Sequence, residues 1–170
     1  MKTRRMVLDG MLIALYFVLG YYLVLNLGNM KITLEAFPIL VAALLLGPID
    51  GLLVGGLGAL LIQLLSYGIT PTTILWIAPH ALSGLLVGLA AKSRWYQKTR
   101  GQTIALCIAS ALLVTALNTL ALVVDSKMYG YYSAAILAAI PMRILTGIIT
   151  AVVFGAALPI LLERLEKLRS

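Results

Sequence analysis

The apolar residues of this chain come in runs separated by turn-forming residues. The runs are about Met6 to Leu27, Ala36 to Leu46, Leu52 to Ser66, Thr72 to Ala91, Gln102 to Val124 and Ala134 to Leu162. A membrane-crossing helix needs about 20 mostly apolar residues, because each adds about 1.5 Å across a hydrocarbon layer about 30 Å thick. The breakers are Gly47-Pro48-Ile49-Asp50-Gly51, Tyr67-Gly68-Ile69-Thr70-Pro71, a short basic loop, and Asp125-Ser126-Lys127-Met128-Tyr129-Gly130. Composition enters as a check: 62% hydrophobic and 11% charged residues contrast with about half and about a quarter in soluble folds. That excludes both a soluble globular domain and a disordered chain. The predicted fold is all-α, a polytopic membrane protein built as a six-helix transmembrane bundle, with residues 1–170 as a single domain. The second run is short for a crossing, so it is tilted, partly buried in protein or half-inserted. The stretch Asn26 to Phe37 alternates in character and predicts a short extended or re-entrant loop.

The formal net charge is +7, but its placement says more than its sum. Of the thirteen basic residues, ten stand in three blocks: Lys2, Arg4 and Arg5; Lys92, Arg94, Lys98 and Arg100; Arg164, Lys167 and Arg169. If all six runs cross, these blocks share one side and the loops opposite carry only Lys31 and Lys127. The positive-inside rule then makes both termini cytoplasmic. The first run is long and lacks a small-residue cleavage site, so it is expected to be a retained span rather than a removable signal. Cys107, the single cysteine, sits in an apolar run and is expected to fill space in the core.

Small residues recur every fourth position: Gly47, Gly51, Gly55 and Ala59; Gly84 and Gly88; Gly147, Ala151 and Gly155; Gly10 and Ala14. Such stripes let helix backbones approach closely. Each stripe serves either internal packing or docking of another membrane subunit, and spacing alone does not separate the two.

With that orientation, polar residues gather in the outer halves of the spans. Asn26 and Gln63 lie near outer ends, Thr72, Thr73 and Trp76 open the fourth span, and His80 follows about two turns in. Asn118 and Thr119 are about two turns from the outer end of the fifth, and Arg143 is about three turns into the sixth, after Pro141. Thr73, Trp76, His80 and Ser83 fall at i, i+3, i+7 and i+10 and so share a helix face. An arginine inside a span costs at least a few kcal/mol and is tolerated when it faces a wet cavity or a partner. Two readings stand for each group. Arg143 pairs with Glu35, Asp125 or helix-end carbonyls, or it holds a ligand; His80 and Asn118 are interhelical hydrogen-bonding groups or pocket groups; Trp76 belongs to an interfacial belt or stacks on a ring. Convergence of the four in one half of a bundle fits a pocket open to the outside.

The sequence has no phosphate-binding loop, no HExxH and no nucleophile elbow, and its one histidine and one cysteine give no metal cage. An enzyme, a resident cofactor and a bound metal are therefore not expected.

Several segments resemble a known family. Met11-Leu12-Ile13-Ala14-Leu15 in a basic-flanked first helix, Lys31-Ile32-Thr33-Leu34 leading to Phe37-Pro38, the turn Leu46-Gly47-Pro48-Ile49-Asp50-Gly51 and the glycine-rich third helix look like the substrate-binding S component of an energy-coupling-factor (ECF) vitamin transporter. Thr70-Pro71-Thr72-Thr73-Ile74-Leu75-Trp76, Leu117-Asn118-Thr119-Leu120 and Pro141-Met142-Arg143-Ile144 are most similar to the folate type. The resemblance implies a high-affinity vitamin binder in the cell membrane that docks on a transmembrane coupling subunit driven by two ATPase subunits, with no ATPase of its own. On the matching positions it implies substrate binding by Trp76, Asn118 and Arg143, to which the helix-face argument adds Thr73 and His80, and charge pairing adds Lys31 or Lys127. It implies a coupling strip of Gly10, Ala14 and Val18 on the first helix, and a lid between Asn26 and Phe37. The competing readings are an S component for pantothenate, riboflavin or hydroxymethylpyrimidine, and a membrane scaffold or assembly protein without a solute. A channel is disfavoured by the apolar inner halves.

Overall fold

A computed structural model of the chain describes residues 2–27, 30–130 and 133–169. The described residues form six helices and one small hairpin. Helix α1 spans Lys2–Tyr21 and is followed by strands β1 (Leu25–Leu27) and β2 (Met30–Ile32), which pair antiparallel with Asn26 opposite Lys31. Then come α2 (Ala36–Leu46), α3 (Pro48–Ser66), α4 (Thr73–Lys92), α5 (Arg100–Tyr129) and α6 (Ser133–Arg169). Among the described residues, α3, α4, α5 and the Ile140–Leu162 part of α6 are long and apolar enough to cross a membrane.

The shortest helix lies at the centre. Ile39 and Leu40 of α2 are 1% exposed and Ala42 is fully buried, packed among α1, α3, α4 and α6. The short second run is thus the option buried in protein, where neighbouring helices replace the lipid it is too short to span. Its last turn, Ala42–Leu46, widens into a π-helix and ends at Gly47. Gly47 has φ +126, a conformation that side chains oppose, and Pro48 starts α3 with its φ already set for a helix.

Two apolar clusters hold the bundle together. One joins Leu40, Val41 and Ala43 to Val87, Cys107, Phe154 and Leu158; the other joins Tyr16 to Ile39, Ala42, Val54 and Ala59. Cys107 is buried and fills the first. Three of the small-residue stripes are internal. A Cβ on Gly51 would stand 2.6 Å from the carbonyl oxygen of Gly84, and side chains on Gly55 and Gly88 would collide with the backbone at His80 and Pro48. On the other side, Gly147 admits Thr115 and Gly155 admits Ile104, closing α6 against α5. The fourth stripe differs: nothing lies within 4 Å of a Cβ on Gly10, and Ala14 and Val18 are exposed beside it.

The three basic blocks meet at one end. The Arg5 guanidinium forms an ion pair with the buried Asp50 carboxylate, donating from Nε to Oδ1 at 2.6 Å and from Nη2 to the Leu46 carbonyl at 2.8 Å. The Lys92 side chain lies over Gly47. Lys98 shares a cavity of about 50 Å³ with Leu44, Leu45, Tyr96 and Leu162, two residues before Arg164. We call this the basic end.

Some boundaries differ from the sequence reading. Helix α1 stops at Tyr21 rather than Leu27, because Leu25 and Leu27 enter the hairpin. Asp125 to Tyr129 continue α5 instead of forming a turn; the helix ends at Gly130, whose φ is +71 and whose N–H closes on the Ser126 carbonyl. Helix α6 runs on to Arg169, past the apolar stretch. Polar residues end a hydrocarbon span without ending a helix.

Candidate functional site

Helix α4 crosses the bundle with its predicted polar face turned inward. Ser83 Oγ is 2.7 Å from Ser110 Oγ of α5, a buried hydrogen bond that ties the two antiparallel helices together. One turn toward the far end, His80 is 9% exposed, and its ring meets the Tyr16 ring edge-on, with centroids 5.9 Å apart. His80 Nε2 stands 4.0 Å from Glu35 Oε1, and His80 Nδ1 is enclosed without a hydrogen-bond partner among the described residues. Trp76, a turn further, is half-buried. Thr73 is buried, and its hydroxyl oxygen accepts from the Thr70 N–H at 2.8 Å and lies 3.1 Å from Thr70 Oγ1. That threonine therefore builds the α3–α4 turn. Pro79, inside α4, brings no N–H to the carbonyl of Leu75, the residue before Trp76.

Helix register relates this face to the other predicted groups. α4 and α5 run antiparallel through Ser83 and Ser110, so two turns toward the far end bring Trp76 to the height of Asn118. α5 and α6 run antiparallel through Thr115 and Gly147, so one further turn brings Arg143 to that same height. Asn118 Oδ1 is enclosed and has no hydrogen-bond partner among the described residues; Arg143 is half-buried.

Burial is uneven along these helices. Toward the basic end Leu106, Cys107, Ser110, Ala151, Phe154 and Leu158 are all buried. From Ala111 to Leu120 of α5 and from Ile140 to Thr150 of α6 no residue is fully buried. The same half that carries Asn118 and Arg143 is the half that is not closed by apolar packing. Strand β2 lies against α6. Lys31 pairs through its backbone with Asn26, and its side chain lies outside the described residues.

Sequence reasoning missed two contributors. Tyr16, only 1% exposed, walls His80 from α1. The sequence offers Glu35 as a partner for Arg143, yet the titratable side chain that stands beside it among the described residues is His80. The signal for Glu35 was present: it is the one carboxylate between Asp9 and Asp50, directly ahead of the apolar run that forms α2. Asp9 and Asp50 lie at the basic end, on the opposite side of the bundle from this cluster.

The described residues thus form a helical bundle with four helices able to cross a membrane, packed closely at the basic end and carrying polar groups of several helices in the other half. The chain belongs to the ECF transporter, substrate-specific component family, which it matches over residues 4–161. Proteins of this family are membrane subunits that bind the substrate, a vitamin, for an ECF importer; they are not enzymes and act with an ECF module. No match is found among curated proteins.

Proposed function

We propose that this S component binds a folate-type vitamin from the extracytoplasmic side and delivers it by docking on a coupling subunit driven by two ATPase subunits. Both termini and the basic end face the cytoplasm, in keeping with the meeting of the three basic blocks there. The solute lies against the inward face of α4, between α1, α5 and α6. Arg143 and Lys31 hold its carboxylates, Trp76 stacks on its ring, and Asn118 and His80 supply hydrogen bonds. Thr73 keeps the α3–α4 turn in shape beside the solute. The hairpin from Asn26 onward closes over the site. The coupling strip is Gly10, Ala14 and Val18.

The observation that carries this reading is the contrast between the closed basic half of α5 and α6 and the unclosed half that bears Asn118 and Arg143. Its test is titration of the purified protein with folic acid, pantothenate, riboflavin and hydroxymethylpyrimidine, with native mass spectrometry of any retained ligand. Folic acid is expected to bind. Arg143→Ala is expected to weaken it by about 10- to 100-fold, the loss of one or more charge-assisted hydrogen bonds of about 1.5–3 kcal/mol. Absence of binding by all four solutes, or an Arg143→Ala variant with altered stability and unchanged affinity, overturns the proposal.

A further inference from the structure

The carboxylate of Glu35 occupies an unusual position for its place in the chain. Glu35 is the N-cap residue of α2, where a carboxylate ordinarily accepts the free N–H groups of the first turn. It makes no such bond; the Phe37 N–H goes instead to the Leu34 carbonyl. The side chain turns into a notch between α1, α3 and α4. The notch exists because residue 20 is glycine: a Cβ there would stand 2.5 Å from both Glu35 Oε2 and Ile62 Cδ1. Tyr16 and His80 form the adjoining wall.

Within that notch the hydrogen-bonding is incomplete. His80 Nε2, at 4.0 Å from Glu35 Oε1, is beyond hydrogen-bonding reach, and the carboxylate makes no cap bond to its own helix. His80 Nδ1 is enclosed and unpartnered as well, and His80 is nine-tenths buried. A charged carboxylate in an apolar bundle demands donors, since burial without them is strongly unfavourable. The Glu35 side chain nevertheless keeps 21% of its surface open, at the foot of the hairpin.

We infer that Glu35, backed by His80, is the specificity-determining wall of the solute site, and that it reads a planar heterocycle presenting adjacent N–H donors, an amidine-like edge. A carboxylate accepts two parallel N–H bonds from such an edge, as it does from a guanidinium. Together with a cationic contact at Arg143, this selects a solute that is a donor-bearing ring at one end and an acid at the other. A site built to hydrogen-bond such an edge rejects an analogue without it, because the analogue leaves the half-buried carboxylate incompletely paired. This rests on the reading of the chain as a vitamin-binding subunit.

The test uses the purified full chain in nanodiscs, with folic acid and its 2-desamino analogue as probes and riboflavin and pantothenate as comparison solutes. Wild-type protein is expected to prefer folic acid over the desamino analogue by about tenfold or more. Glu35→Gln is expected to reduce that preference to about threefold or less, with the loss falling on folic acid rather than on the analogue, and Glu35→Asp to restore part of it. A wild-type protein that binds the two probes equally overturns the inference without recourse to any variant. So does a Glu35→Gln variant that weakens both alike, the signature of a structural role, or one that leaves the preference intact, the signature of a carboxylate satisfied by water. Retention of riboflavin or pantothenate in place of folic acid overturns this inference and leaves the vitamin-binding reading standing; binding of none of the solutes overturns that reading too.

Discussion

At the α3–α4 seam glycine brings two helix backbones into direct contact, and adding one methyl group there tests the packing argument directly. In Gly51→Ala the new Cβ would stand 2.6 Å from the Gly84 carbonyl oxygen and 2.9 Å from the Ala43 Cβ. Carbon and carbonyl oxygen settle at about 3.3 Å or more, so the seam must open by about 0.7 Å. The obstacle is backbone, which no rotamer change can move aside. Overpacking of this kind costs about 1–3 kcal/mol, partly offset by roughly 0.5–1 kcal/mol from replacing a mid-helix glycine with alanine. For a chain of this size each kcal/mol moves the Tm by about 2–4 °C, so Gly51→Ala should melt several degrees below wild type. Gly10→Ala is the matched control: it gains the same helix preference and its Cβ meets nothing within 4 Å. It should melt at the wild-type temperature or slightly above. Thermal unfolding of the two purified variants in one detergent decides the matter. A Gly51→Ala protein as stable as Gly10→Ala would refute the claim that this stripe is an internal seam.

Two further perturbations address the ends of α1. Arg5→Ala should destabilise the protein by more than Arg5→Ala combined with Asp50→Asn, because the single change leaves the buried Asp50 carboxylate without its guanidinium; the exposed flank of Arg5 keeps the effect at the low end of the few kcal/mol typical of broken buried pairs. Denaturation of the single and double variants reads the difference, and equal losses would show that the pair does not couple α1 to the α2–α3 turn. Ala14→Trp should abolish vitamin uptake by cells while leaving ligand binding by the purified subunit within about twofold of wild type, since Ala14 is exposed on the free face of α1. Loss of binding together with uptake would contradict a coupling role for that face.

Much of the architecture was legible because its determinants are local. Apolar runs, glycine and proline breakers and basic blocks are written consecutively, and the six helices, an extended stretch near Asn26 and the gathering of Arg5, Lys92 and Lys98 at one end follow from them; the pairing of that stretch into a hairpin does not. Helix ends were less legible. Asp125 to Tyr129 remain helical because polar side chains are compatible with a helix that has left the hydrocarbon layer. The inward faces were harder still. In a soluble helix alternation of polar and apolar residues marks the buried side, but lipid is as apolar as a core, so α3 and α4 carry little of that contrast.

The candidate site divides along the same line. The sequence marked Trp76, His80, Asn118 and Arg143 because polar groups in apolar spans are costly and therefore conspicuous. It did not reveal that the Thr73 hydroxyl is committed to its own turn, or that Glu35 turns away from its helix toward a histidine 45 residues on.

By itself, then, the sequence determined that the chain lives in a membrane as a helical bundle with one basic end, since hydrophobic run length and charge placement depend on neighbours along the chain. Only the tertiary structure decided which glycine stripes are seams and which is an open face, and which polar groups stand at one height. Those properties depend on what a residue meets across space: of four stripes with the same spacing, two close on each other, one closes on α5 and one stays open.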